Sequence, residues 1–107
     1  MKKNILIISP HADDEILGCG GFISKYSKQN YQINVVIMTN ANKGAPEIYP
    51  LKAIERLRKE AKIANNLIGT KSLFFENLPA INLNNYPTYK ITNIIDKYIL
   101  DINPEIV

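Results

Sequence analysis

The chain has little of several things, and each shortage excludes a class of protein. A single cysteine, Cys19, rules out an internal disulfide framework and suits a reducing compartment, so a cytoplasmic protein is expected. No apolar run approaches the roughly 20 residues of a membrane span. Met1-Lys2-Lys3 before Ile5–Ile8 is not expected to act as a signal peptide either, because the apolar run is short and is broken by Pro10 and an acidic triplet. Charge of one sign is also scarce: 13 basic against 10 acidic residues leave +3. The lysines are scattered, which reads as a solvated surface and argues against a nucleic-acid partner. Histidine is as scarce as cysteine, with His11 alone, so no second imidazole is available to a metal site within these residues.

A length of 107 residues fits one small domain. Asn4 to Ser9 is a continuous apolar run, the pattern of a central strand covered on both faces. Ile16, Cys19, Gly20, Ile23 and Ser27 fall on one helical stripe, with Asp13, Asp14 and Glu15 supplying the acidic bias of a first turn. Ile33 to Met38 is a second β-rich run, followed by a long polar loop from Thr39 to Pro50. Leu51, Ile54, Leu57, Ala61, Ala64 and Ile68 predict a helix opened near Pro50 and stopped by Gly69.

Ser72 to Glu76 reads as a third strand, and Asn77 to Thr88 as loop. Ile91, Ile94, Ile95, Tyr98, Ile99 and Ile102 form a wide helical stripe ending at Asn103-Pro104, and Glu105-Ile106-Val107 begins another strand. This alternation predicts an α/β fold, Rossmann-like and three-layered (α/β/α), with a mostly parallel sheet cut off after the third βα unit. A sheet stopped there leaves its edge and the Ile91–Ile102 stripe exposed, which invites homo-oligomer formation.

The informative segment is Pro10-His11-Ala12-Asp13-Asp14-Glu15, at the C-terminal end of the first strand, where open α/β sheets place ligands. His11 and Asp14, three apart across a strand-to-helix turn, can bring a nitrogen and a carboxylate oxygen to one divalent ion, with zinc or another first-row metal the natural choice. Asp13 between them is placed to take a proton from water. Helix capping is the plain alternative for the aspartates, but ionisable groups at the end of a buried strand are costly unless something binds them. Phosphoryl transfer with magnesium and an Asp13 nucleophile is a further alternative, disfavoured by His11 because magnesium prefers oxygen ligands. Gly18, Gly20 and Gly21 do not make a dinucleotide fingerprint, which needs a third glycine where Ile23 stands. They are expected to permit close packing, and Cys19 is expected in the core.

Residues 10 to 21, Pro-His-Ala-Asp-Asp-Glu-Ile-Leu-Gly-Cys-Gly-Gly, resemble the signature of the PIG-L (LmbE-like) deacetylases, zinc hydrolases that remove N-acetyl groups from N-acetylglucosamine-type sugars. Thr39-Asn40, Glu60, Ala64, Ile68-Gly69 and Leu78-Pro79-Ala80 extend the resemblance along the chain. The resemblance implies a metal held by His11 and Asp14, with Asp13 as the general base that prepares water to attack an amide carbonyl. It also implies a third ligand, a histidine of a later motif that this sequence does not contain. The chain is therefore expected to be the N-terminal part of one deacetylase domain, residues 1–107, and by itself to bind zinc loosely and release no acetate. A non-catalytic relative of the same fold is the alternative. Asn40, Lys43, Arg56 and Arg58 fall where sugar contacts are expected.

Overall fold

The computed structural model describes Lys2–Val107. Its strands are β1 (Lys3–Ser9), β2 (Tyr31–Asn40) and β3 (Ser72–Pro79), and its helices α1 (Asp14–Tyr26), α2 (Leu51–Ile68) and α3 (Thr88–Ile102), with a short 3-10 turn at Leu83–Asn85. The strands pair in the order β1-β2-β3, all parallel. β2 is central, and every residue from Ile33 to Asn40 is buried.

Alternation along the strands sends side chains to two cores. Ile5, Ile33, Val35 and Ile37 meet Ile23 of α1 and Ala61 of α2 on one face. Leu6, Val36, Met38 and Leu78 meet the other, where Ile91, Ile94, Ile95, Tyr98 and Ile102 of α3 pack. The result is the three-layer α/β/α arrangement the alternation predicts. The expectation that the Ile91–Ile102 stripe lies exposed is corrected: most of it covers the sheet, because its wide apolar arc matches the even-numbered face of β1 and β2. Only Ile99 and Leu100, at 37% and 80% exposure, remain outside that contact among the large apolar residues of α3's second half.

Ile106 forms a parallel bridge with Ile5, on the side of β1 opposite β2. The Leu6 N–H donates to the Ile106 carbonyl and the Glu105 N–H to that of Asn4, both at 2.9 Å. The strand expected at Glu105–Val107 is thus present as a bridge. Chain order reverses at β1, so the carboxyl end of β1 borders the switch point at which such sheets bind ligands.

Two local features shape the site. The β2–β3 register shifts between Ile37 and Thr39, where Ile37 faces Phe75 but Thr39 faces Leu78. One extra residue on β3 makes a bulge at Glu76-Asn77 and carries the strand on to Pro79, past the sequence-based end at Glu76. At the far end of α2, Gly69 caps the helix with φ 102°, and a Cβ there would lie 2.3 Å from Ser27 Oγ at the end of α1. Glycine is needed at position 69 for both reasons. Gly18, Gly20 and Gly21 differ: a Cβ at Gly18 or Gly21 would meet nothing within 4 Å, and one at Gly20 only Ile16 at 3.9 Å. The expected close packing at these three is absent from the described residues.

Candidate metal-binding and water-activating site

β1 ends at Ser9, and the turn that follows is tied to β2 through the Pro10 carbonyl, which accepts from the Thr39 hydroxyl at 2.6 Å and the Thr39 N–H at 3.2 Å. Asp14 then folds back over the turn. Its Oδ2 accepts from the His11 N–H at 3.2 Å and lies 3.2 Å from His11 Nδ1, while its own N–H donates to the His11 carbonyl at 3.3 Å. Both side chains are about half exposed, at 55% and 45%.

The separation of the two donors is informative. Atoms each about 2.0 Å from one ion at a tetrahedral angle stand about 3.3 Å apart, so His11 Nδ1 and Asp14 Oδ2 already have the spacing of two neighbouring zinc ligands. The donor types fit as well, an imidazole nitrogen with a carboxylate oxygen. Among the described residues no group of three or more His, Cys, Asp and Glu gathers there, so His11 and Asp14 stand as a pair of candidate donors.

Asp13 is the N-cap of α1, but its side chain makes no capping hydrogen bond, and its backbone sits at φ 82°. A left-handed conformation at a non-glycine residue is uncommon and costly, and such positions gather at functional sites. Helix capping therefore does not account for Asp13 or for Asp14, whose carboxylate is turned to His11.

Beside the turn opens a cavity of about 340 Å³ lined by His11, Ala12, Thr39, Asn40, Tyr49, Arg58, Phe75 and Ile81, among others. Of the four expected sugar-contact residues, Asn40 and Arg58 line it. Lys43 and Arg56 are exposed and do not. Arg58 lies over the Phe75 ring at 4.8 Å and donates through Nη2 to the Glu76 carbonyl at 2.7 Å and to Asn77 Oδ1 at 3.0 Å. Burial pulls its guanidinium below the ordinary arginine value, and the Glu76 carboxylate opposes that pull. Asn77 Oδ1 also accepts from Asn40 Nδ2 at 3.0 Å, so the bulge residue joins the two cavity side chains.

Sequence reasoning missed Asn77, because a bulge depends on strand pairing and leaves no local pattern. It also missed Tyr49, on the polar loop. Asn65 had a readable signal: a polar residue four positions after Ala61, on the buried side of α2. Cys19 is partly buried and packs on the α1–α2 core, as expected.

A parallel α/β sheet with an imidazole and carboxylates at the carboxyl end of its first strand defines a class of proteins with a candidate ligand site at a strand end. Within that class the chain belongs to the PIG-L family (GlcNAc-PI de-N-acetylase), which it matches over residues 6–107. It is 27% identical over 111 residues to a probable N-acetyl-alpha-D-glucosaminyl L-malate deacetylase 2 of Bacillus anthracis, a match that covers 99% of this chain and 49% of that protein. It is also 27% identical over 82 residues to a 4-oxalmesaconate hydratase of Pseudomonas putida, covering 70% of this chain and 32% of that one. Among solved structures, the N,N'-diacetylchitobiose deacetylase of Pyrococcus horikoshii superposes with a TM-score of 0.82 at 27% identity, over 97% of this chain and 39% of that chain. The chain spans about half the length, or less, of the relatives it matches.

Proposed function

We propose that the protein carrying this chain is a zinc-dependent N-deacetylase that hydrolyses the acetamide of an N-acetylglucosamine-type sugar or sugar conjugate. The observation that carries the reading is the 3.2 Å approach of His11 Nδ1 to Asp14 Oδ2 at the rim of the cavity. Its support is the family and the deacetylases within it that the chain resembles.

His11 and Asp14 would hold the ion, which when bound supplies a Lewis acid and lowers the pKa of water toward about 7. Asp13, with no capping bond to occupy it, accepts the proton of the attacking water. Water oxygen joins the acyl carbon, the C–N bond breaks as the proton taken from water passes to the nitrogen, and acetate and a free amine leave. Arg58 directs Nη2 to Glu76 and Asn77, which leaves its other guanidinium hydrogens for sugar hydroxyls, and Asn40 stands beside it. Lys43 and Arg56 do not line the cavity.

Acetate release and metal content test the reading together. His11→Ala and Asp14→Ala should each lose zinc after dialysis, since each removes a first donor from a site with few of them. Stoichiometric zinc in both variants would place the ligands elsewhere. The 107 residues alone, with two protein donors, should bind zinc loosely and release no acetate; tight equimolar binding with turnover in a calorimetric titration would show that no further protein ligand is needed.

The likeness to a hydratase favours a second reading, in which the same water is added to a carbon–carbon double bond. Release of amine and acetate distinguishes hydrolysis from hydration, which yields a single product.

A further inference from the structure

Three polar side chains that the proposed chemistry does not use are buried together behind the His11–Asp14 turn: Ser9 at 2% exposure, Glu15 at 2% and Asn65 at 1%. Taking a carboxylate out of water is costly, and a well-packed apolar residue would be the cheaper occupant of position 15. Among the described residues no lysine or arginine comes within ion-pair distance of Glu15. Its burial therefore needs a reason other than charge pairing.

The hydrogen bonds supply one. Glu15 Oε1 accepts from Asn65 Nδ2 at 3.0 Å, a contact between the first turn of α1 and the buried side of α2. Asn65 is itself fixed: its second amide hydrogen goes to the Ala61 carbonyl at 3.0 Å, and its Oδ1 accepts from the Thr70 hydroxyl at 2.8 Å. Glu15 Oε2 lies 3.4 Å from Ser9 Oγ, whose single hydrogen also faces the His11 carbonyl at 2.7 Å. A chain of contacts thus runs from α2 through Asn65, Glu15 and Ser9 to the backbone of His11.

We infer that Glu15 is a positioning residue, which registers the His11–Asp14 turn against α2 by holding Ser9 on one carboxylate oxygen and Asn65 on the other. Because α2 also carries Arg58, this link sets the distance between the donor pair and the cavity wall. The inference concerns the turn itself, and only its zinc-binding consequence rests on the proposed function.

Amide hydrogen exchange of the full chain tests it, with β2 amides reporting global opening. In Glu15→Ala and in the milder Ser9→Ala, the His11, Asp14 and Leu17 amides should exchange about tenfold faster relative to β2, the effect of losing roughly one hydrogen bond at the turn. Glu15→Gln can accept from Asn65 and donate to Ser9, so its turn should stay within about twofold of wild type. A purely structural role would speed all protected amides alike, and that result, or no change in the turn, overturns the inference. So does a glutamine variant as loose as the alanine one. If Glu15→Ala does not fold, Glu15→Leu, which keeps the volume and removes both hydrogen bonds, decides: a turn as protected as wild type overturns the inference.

Zinc titration adds a second readout: the alanine variants should bind about tenfold or more weakly, as for other residues that orient a ligand from behind. A wild-type chain that takes no zinc would defeat the metal reading, while the exchange comparison would still decide the role of Glu15.

Discussion

The two faces of the sheet are built differently. Under α1 and α2 lie buried side chains from both helices, Ile23, Ile54 and Ala61 with the polar Glu15 and Asn65, and that face leads to the candidate site. Under α3 no helix residue is fully buried; Ile91, Ile94, Ile95, Tyr98 and Ile102 lie half-covered on Leu6, Val36, Met38 and Leu78. The difference separates two tasks. α1 and α2 are held by close packing and by the Glu15–Asn65 hydrogen bond, on the face that carries the candidate donors. α3 spreads an apolar face over the sheet, where small displacements disturb no chemistry.

The largest effect should come from Asp13, on the pinned side. Asparagine tolerates the left-handed backbone that position 13 adopts at φ 82°, so Asp13→Asn removes the base while leaving the turn in place. In the complete protein, turnover should fall on the order of 10² to 10⁴ with zinc retained. Near-normal deacetylation at full metal content would remove Asp13 from the chemistry.

Packing tests the contrast directly. Ile23→Ala, in a site with 0% exposure, should cost about 2–5 kcal/mol in denaturant unfolding. Ile95→Ala on half-covered α3 should cost less, about 1–2 kcal/mol. Equal losses would mean the two faces are equally packed. Next comes Gly69→Ala, which meets both a positive φ and the Ser27 side chain and should destabilise by about 1–2 kcal/mol. The same change at Gly18, with open space around it, should instead raise stability by up to about 1 kcal/mol.

The smallest effect is a pH dependence on the α3 face. Tyr98 donates its hydroxyl to Glu76 Oε2, and burial, then that bond and the Glu76 charge, push its phenol well above the ordinary value. A group whose folded pKa is raised binds its proton more tightly when folded. Its contribution is complete below the unfolded value of about 10 and fades as pH climbs beyond it toward the folded value. Wild type should lose stability more steeply above that pH than Tyr98→Phe, and parallel curves would show that the phenol makes no difference there.

Much of this was legible in the residues. Alternating apolar runs and helical stripes reveal the order of elements, because burying an apolar face is a local demand written at fixed spacing. Pro50 and Gly69 bracket α2 as their backbone limits require. The strand-end histidine and aspartates are adjacent in sequence, so their gathering at one turn needs no long-range information. Less was legible where partners come from far along the chain. Arg58 and Asn40 meet only through Asn77, on a bulge that pairing with β2 creates. Lys43 and Arg56, both exposed, look in sequence no different from Arg58, since nothing local says which cation a cavity will include.

The sequence by itself determined the alternating α/β order and the His11–Asp14 pair, because both depend on contacts between near neighbours. Only the tertiary structure decided that α3 covers the sheet, that Asn40 and Arg58 share one cavity, and that Glu15 faces inward to Asn65, 50 residues away. Those outcomes follow from how strands pair and helices pack, and the energy of such contacts is settled by the whole fold.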